Sequence, residues 1–272
     1  MKRLLIAGYG DVARRAAAAL ERRFEVHPLG RRLGLDLDRP ETLPRDGAHA
    51  VLHCAPPPAH GNLDTRTANL LATLEEGRIL PTRLVYVSTS GVYGDCGGER
   101  VDESRSPAPR TPRARRRLDA ERRLVLWCSE HDAALVVLRA PGIYAAERLP
   151  LARLRTGAPL LRAEDDVYTN HIHADDLAGA LVRALEPDAP AGVYNASDDS
   201  EMRMGDWMDL VADHAGLARL PRLSRAQMRE PSDFMMESRR LDNRRLKREL
   251  GVRLSYPTVQ EGLRHAQALG VH

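Results

Sequence analysis

Leu4-Leu5-Ile6-Ala7-Gly8-Tyr9-Gly10-Asp11-Val12-Ala13 is the stretch that decides the fold. Four apolar residues run straight into Gly-x-Gly-x-x-Ala, and residues 11–22 continue with apolar side chains at helical spacing. A strand, a glycine turn and a helix in that order make a phosphate-binding turn. Gly8 permits the tight turn, Gly10 lets the backbone approach a pyrophosphate, and the small Ala13 allows the helix to pack closely on the strand. The helix N-terminus attracts the phosphate charge. Alone the motif is weak; its meaning comes from the strand before it and the helix after it. A dinucleotide site on Gly8, Tyr9, Gly10, Asp11, Val12 and Ala13 is the expectation. The plain alternative is a tight turn without a ligand.

The end of the next apolar run bears on which dinucleotide. An acid about 20 residues beyond the glycine turn binds the ribose hydroxyls of NAD. Here the chain reads His27-Pro28-Leu29-Gly30-Arg31-Arg32. Arg31 and Arg32 can pair with a 2′-phosphate, so NADP is favoured over NAD. The competing reading leaves both arginines simply solvated.

Working outward, apolar runs at 3–7, 25–29, 50–54, 84–88 and 134–139 alternate with helical patterns, the longest at about 111–131. Short, nearly continuous apolar strands in β-α-β alternation imply a parallel sheet covered on both faces. Such sheets bind ligands at the carboxyl ends of their strands. Beyond residue 140 the spacing predicts helices over 174–185 and 205–215 with a strand at 193–195 between them. Further helices are expected near 242–250, closed by Gly251, and at 258–269. Residues 56–58 and 106–112 are proline-rich loops.

The chain has 272 residues, 43% apolar and 29% charged, with a formal net charge of +3. Balanced charge and 4% aromatic residues argue against a nucleic-acid partner. No apolar stretch is long enough to cross a membrane, and no secretory signal is read, so a cytoplasmic protein is expected. Cys54, Cys96 and Cys128 form no CxxC pair, which fits a reducing compartment. No metal is called for. Only Lys2 and Lys247 are lysines, and every other basic residue is arginine. A Schiff-base lysine and a P-loop are therefore excluded from the middle of the chain.

These motifs accumulate into a set that resembles the short-chain dehydrogenase/reductase superfamily, extended type, in particular its atypical NAD(P)-dependent epimerase/dehydratase-like members. Residues 87–94 (Val-Ser-Thr-Ser-Gly-Val-Tyr-Gly) look like the family's strand end with its catalytic hydroxyl, which Thr89 matches. Residues 138–144 look like the segment passing the nicotinamide, which places Pro141 and Ile143 at the cofactor. Residues 171–178 look like the family's helix-starting segment, with Asp175 or Asp176 expected to cap that helix. Asp36-Leu37 resembles the pair that contacts adenine, and Cys54, with Ala55 and Pro56, is expected to line the adenine side. The glycine turn is one residue shorter than the extended type's usual form. The resemblance implies an α/β fold, a Rossmann-type doubly wound parallel sheet with a small C-terminal substrate-binding lobe. Residues 1–147 form its NADP-binding domain, 168–195 return to it, and 148–272 form mainly the lobe.

The family's catalytic pair is where the sequence departs. The family uses Tyr-x-x-x-Lys followed four residues later by Glu, the tyrosine moving a proton and the lysine lowering its pKa. Aligning on Glu121 puts Arg117 at the lysine position and Arg113 at the tyrosine position. Arg117 could keep the cationic, ribose-binding role, whereas Arg113 cannot transfer a proton. A solvated helix start is an equal reading of residues 113–117. Asp64 lies within one residue of the family's helix asparagine. Tyr144 is the remaining candidate for the proton, because Tyr144-Ala145-Ala146-Glu147-Arg148 is the only Tyr-x-x-x-Arg in the chain. Packing in the loop is its alternative role, and Tyr93 has the same ambiguity. Catalytic roles are assigned to Thr89, Tyr144 and Arg117, and substrate contacts to Tyr93, Tyr144, Arg148 and His173. His173 could also orient the adjacent loops.

Two functions compete. One is an NADP-dependent oxidoreductase or epimerase/dehydratase-like enzyme on a small polar or sugar-nucleotide-like substrate. The other is a non-catalytic NADP(H)-binding redox sensor or regulator. Either is expected as a monomer or homodimer. Specificity is expected in residues 148–161 and 217–240.

Overall fold

In the computed structural model, which describes residues 1–228 and 235–268, the apolar runs assemble into one parallel sheet. Its strands are β1 (Lys2–Ala7), β2 (Phe24–Leu29), β3 (Ala50–His53), β4 (Arg83–Thr89), β5 (Ala134–Ala140) and β6 (Gly192–Asn195). The spatial order is β6-β5-β4-β3-β1-β2, and every neighbouring pair is parallel. The chain moves outward from β1 to β2, then crosses back to β3 on the other side. The carboxyl ends of β1 and β3 therefore flank the switch point where such sheets bind ligands.

The helices are α1 (Asp11–Glu21), α2 (Thr65–Glu75), α3 (Pro112–Glu130), α4 (Leu151–Thr156), α5 (Ala174–Ala184), α6 (Met204–His214), α7 (Arg244–Arg248) and α8 (Val259–Ala268). Alternation along β1 sorts them into layers, because successive side chains leave opposite faces of a strand. Leu4 and Ile6 pack with Ala13, Ala16 and Leu20 of α1, Leu177 and Leu181 of α5 and Leu246 of α7. Leu5 and Ala7 pack on the other face with Leu70 and Leu74 of α2 and Leu124 and Trp127 of α3. Each buried leucine or isoleucine contributes roughly 2 kcal/mol from apolar area removed from water.

A third core joins Leu154 of α4, Trp207 and Val211 of α6, and Val259 and Leu263 of α8 around Tyr144. It forms the lobe that closes over the carboxyl edge of β4 and β5. From the stretch 168–195, β6 joins the sheet and α5 covers one face, while α7 packs on the sheet from much later in the chain.

Three local expectations differ from what forms. The helix expected near 242–250 is only the five residues of α7, with Gly251 beyond it at φ +77°. The helix α2 was not legible, because its polar residues break the apolar spacing; Asp64 caps it by accepting from Thr67 N–H at 3.0 Å. The cap of α5 is His173, whose Nδ1 accepts from Asp175 N–H at 3.2 Å. Neither aspartate is free for that task. Asp175 pairs with Arg15, and Asp176 accepts from the backbone of Ser255 and Tyr256 at 2.6 and 3.0 Å. The predicted end of the last helix at Leu269 lies outside the described residues.

Candidate active site at the carboxyl edge of the sheet

Two cavities lie along the carboxyl edge. The first, of about 560 Å³, sits beyond β1, β2 and β3. The glycine turn forms one wall. Gly8 adopts φ +88°, and its N–H donates to Leu29 O at 3.1 Å, tying the turn to the end of β2. A Cβ on Gly8 would stand 2.3 Å from the backbone nitrogen of Ala55, so only glycine fits. Gly10 differs: a Cβ there would meet nothing within 4 Å. It caps α1 without a side-chain hydrogen bond, leaving the first-turn amides beside open space. An anion fits such a cradle.

The expected contacts divide at this point. Gly8, Tyr9, Gly10, Arg31, Arg32, Asp36, Leu37, Cys54, Ala55 and Pro56 all line the first cavity. Asp11, Val12 and Ala13 do not. Ala13 is buried against the sheet and Val12 packs beside it. Asp11 turns its carboxylate onto Arg15 at 3.1 Å and Arg148 at 3.2 Å, which compensates its charge at the helix start. Arg14 and Arg66 line the cavity as well, and nothing in their sequence context marked them. Arg66 is held by Asp38 at 2.6 Å and by the carbonyls of Pro56 and Pro57. Burial pushes the Cys54 thiol up to about 12, so it stays protonated.

The second cavity, of about 460 Å³, sits beyond β4 and β5 under the lobe. Thr89 ends β4 and its Oγ1 accepts from Gly91 N–H at 3.2 Å. Thr111 caps α3 in the same way, accepting from Ala114 N–H at 3.2 Å. Both hydroxyls keep a proton to donate. Pro141, Ile143, Arg148 and Tyr144 line the cavity, together with Arg113, Tyr168, His171 and Arg239. Arg239 is engaged by Glu237 and by Gly94 O, each at 2.8 Å. Burial holds His171 far below its ordinary value, at about 3, so its imidazole is neutral.

Tyr144 enters this wall with its ring, edge-on to His171 and Trp207. Its hydroxyl, however, donates to Thr258 O at 3.3 Å, ahead of α8. Burial pushes its pKa up, so it stays a phenol facing the lobe. Besides Asp11, Val12 and Ala13, three more expected site residues line neither cavity. Tyr93 is buried and donates to Asn195 Oδ1 at 2.8 Å. His173 is committed to the cap of α5, and Tyr256 packs on its ring at 4.0 Å between centroids. Arg117 lies beneath the groove, donating to Ala55 O at 3.1 Å, Tyr86 Oη at 3.1 Å and Val87 O at 2.9 Å. It bridges the ends of β3 and β4. Glu121, one turn on, accepts from Ser88 Oγ and pairs with buried Arg139 at 2.7 Å.

Against this geometry, residues 12–197 match the family model for the NAD dependent epimerase/dehydratase family, more than half of the chain. The chain belongs to that family. Among curated relatives it is similar to GDP-6-deoxy-D-mannose reductase of Pseudomonas aeruginosa, 28% identical over 171 residues, 56% of each chain. The chain spans about half the length of the curated relatives it matches. Among solved structures it is similar to a functionally unknown conserved protein from Silicibacter pomeroyi, with 27% identity, a TM-score of 0.78 and all of both chains covered. The fold is shared with RMD from Pseudomonas aeruginosa complexed with NADPH, at 22% identity and a TM-score of 0.73 over 97% of this chain and 95% of that one. Family membership accords with the Rossmann-type parallel sheet described above. Among the described residues no helix is long and apolar enough to cross a membrane.

Proposed function

We propose that the protein is an NADP-dependent oxidoreductase or epimerase/dehydratase-like enzyme. Its substrate is small and polar, of the sugar-nucleotide kind, and its active site lacks the Tyr-x-x-x-Lys pair. The observation that carries the reading is the open cradle at Gly10 opposite Arg14, Arg31 and Arg32 in one cavity, with Thr89 in the next along the same sheet edge. The glycine turn would hold the pyrophosphate, and Arg31 and Arg32, with Arg14, would pair with the 2′-phosphate. Asp36 lines the same cavity, and one of its carboxylate oxygens accepts from Asp38 N–H at 3.1 Å. Leu37, Cys54, Ala55 and Pro56 would face the adenine, and Pro141 and Ile143 the nicotinamide end. A nicotinamide held there would supply hydride-transfer chemistry to a substrate carbon. Thr89 donates to the reacting oxygen, and Arg148 faces the substrate's polar groups. Similarity to GDP-6-deoxy-D-mannose reductase supports a sugar nucleotide as substrate. The NADPH complex of a protein sharing the fold is compatible with NADP.

One observation favours a second reading, a non-catalytic NADP(H)-binding redox sensor. The tyrosine position of the family holds Arg113, and Tyr144 directs its hydroxyl at the lobe. Fluorescence titration with NADPH and NADH, followed by NADPH oxidation assays on GDP-, dTDP- and UDP-sugars bearing a keto group, separates the readings. Tighter NADPH binding with turnover on one sugar class is expected. Tighter NADH binding overturns the NADP assignment, and absence of turnover across the panel favours the sensor.

A further inference from the structure

The second cavity holds three arginines, and two are already engaged. Arg148 pairs with Asp11, and Arg239 with Glu237 and Gly94 O. Arg113 makes no hydrogen bond or ion pair with any described residue. Arg113 is exposed at the cavity wall, and desolvation, then Arg117 and Arg116, hold its guanidinium below the ordinary value. An anion entering the cavity would reach this guanidinium and offset the repulsion from those two cations.

The hydroxyls around it have the matching polarity. Thr89 and Thr111 each accept one backbone N–H and each keep an O–H. Thr111 also heads α3, where the partial positive charge of the helix N-terminus adds to that of Arg113. Among the described residues, Glu237 is the one carboxylate that lines the cavity, and it pairs with Arg239. We propose that Arg113, Thr89 and Thr111 form an oxyanion cradle, so that the substrate carries a carboxylate or phosphate group beside the atom that reacts. This rests on the proposed function for the location of the reacting atom, though the cradle itself does not. Arginine at the tyrosine position thus changes the site from proton transfer to anion selection. The fork of a guanidinium, aided by two hydroxyls, matches a planar carboxylate or a phosphate face.

The test uses three probes that differ in one group: D-glucose, D-glucuronate and D-glucose 6-phosphate. Each is titrated calorimetrically into the full chain, with and without saturating NADP, and into Arg113→Gln and Arg113→Lys. The wild type should bind at least one anionic sugar about tenfold tighter than glucose or better. Arg113→Gln should lose ~10- to 100-fold of that preference, the range of a charge-assisted hydrogen bond, and Arg113→Lys should restore part of it. NADP affinity, measured in parallel, should be equal in wild type and variants. Preference for glucuronate identifies a carboxylate, and preference for the 6-phosphate a phosphate. Equal binding of all three probes by the wild type overturns the cradle, as does an anion preference that survives in Arg113→Gln. Failure to bind NADP, with anion selection intact in its absence, overturns the proposed function and leaves the cradle standing.

Discussion

Two alanine substitutions two residues apart, Gly8→Ala and Gly10→Ala, should fail in opposite ways. At Gly10 the backbone is φ −86° and ψ −164°, a conformation open to any L-residue, and the new methyl meets nothing within 4 Å. Folding should be unharmed, and the lost freedom of the unfolded chain should stabilise it by about 0.4–1 kcal/mol. The methyl would stand in the space beside the first-turn amides of α1. Cofactor affinity should fall tenfold or more, a loss of at least about 1.4 kcal/mol. At Gly8 the backbone has φ +88° and the added Cβ lies 2.3 Å from Ala55 N, with Ala55 Cα at 2.5 Å behind it. The left-handed conformation costs roughly 1–2 kcal/mol and the overlap roughly 1–3 more. Gly8→Ala should therefore lose about 2–5 kcal/mol of stability. Urea unfolding followed by intrinsic fluorescence gives the first quantity, and NADPH titration of the folded variants gives the second. Wild-type NADPH affinity in a well-folded Gly10→Ala would refute the placement of the pyrophosphate, and unchanged stability in Gly8→Ala would refute the steric argument.

Three further outcomes follow from buried polar groups. Glu121→Ala leaves the Arg139 guanidinium buried without its carboxylate, and should cost about 3–5 kcal/mol in urea unfolding; a double variant replacing both partners by apolar residues should recover much of it. Asp198 is buried, and burial raises its carboxyl from 3.8 to about 8. The folded chain then binds more protons than the unfolded one between those values, so this group makes stability fall as pH rises from about 4 to 8, by at most about 5 kcal/mol. Asp198→Asn should flatten that fall in denaturation midpoints measured across the range, and a slope identical to wild type would count against it. Tyr144→Phe removes one hydrogen bond to Thr258 O, about 1 kcal/mol, and should leave NADPH turnover on any accepted substrate within about twofold. A loss of a hundredfold would return Tyr144 to the proton-transfer role.

Legibility differed between the two halves of the site. At the first cavity, Gly8 and Gly10 form the wall through their own backbone conformations, and Arg31, Arg32, Asp36 and Leu37 follow directly from the end of β2. Their positions were readable because few residues separate them from the strand that carries them. Arg14 and Arg66 were missed, since one points from a helix turn and the other reaches in from α2, a helix the apolar spacing concealed. In the second cavity, Thr89 came from its place at a strand end. Arg117, Tyr93 and His173 were placed near it by register, yet each spends its polar atoms elsewhere: on β3 and β4 carbonyls, on Asn195 and on the start of α5. His171, two residues before His173 on the same strand, lines the cavity instead.

What the amino-acid sequence determined by itself is the parallel sheet, the glycine turn and the absence of any lysine between Lys2 and Lys247. Those properties depend on strand periodicity, on φ at single glycines and on residue type, all of which are local. Only the tertiary structure decided which arginines at the two cavities are engaged and which are left open to solvent. Arg148 finds Asp11 across 137 residues, Arg139 finds Glu121 on a packed helix, and Arg117 finds the carbonyls of two neighbouring strands. Arg113 finds none among the described residues. In a chain whose basic residues are almost all arginine, residue type cannot distinguish these roles. The difference lies in which carboxylates and carbonyls the fold brings within hydrogen-bonding distance of each guanidinium.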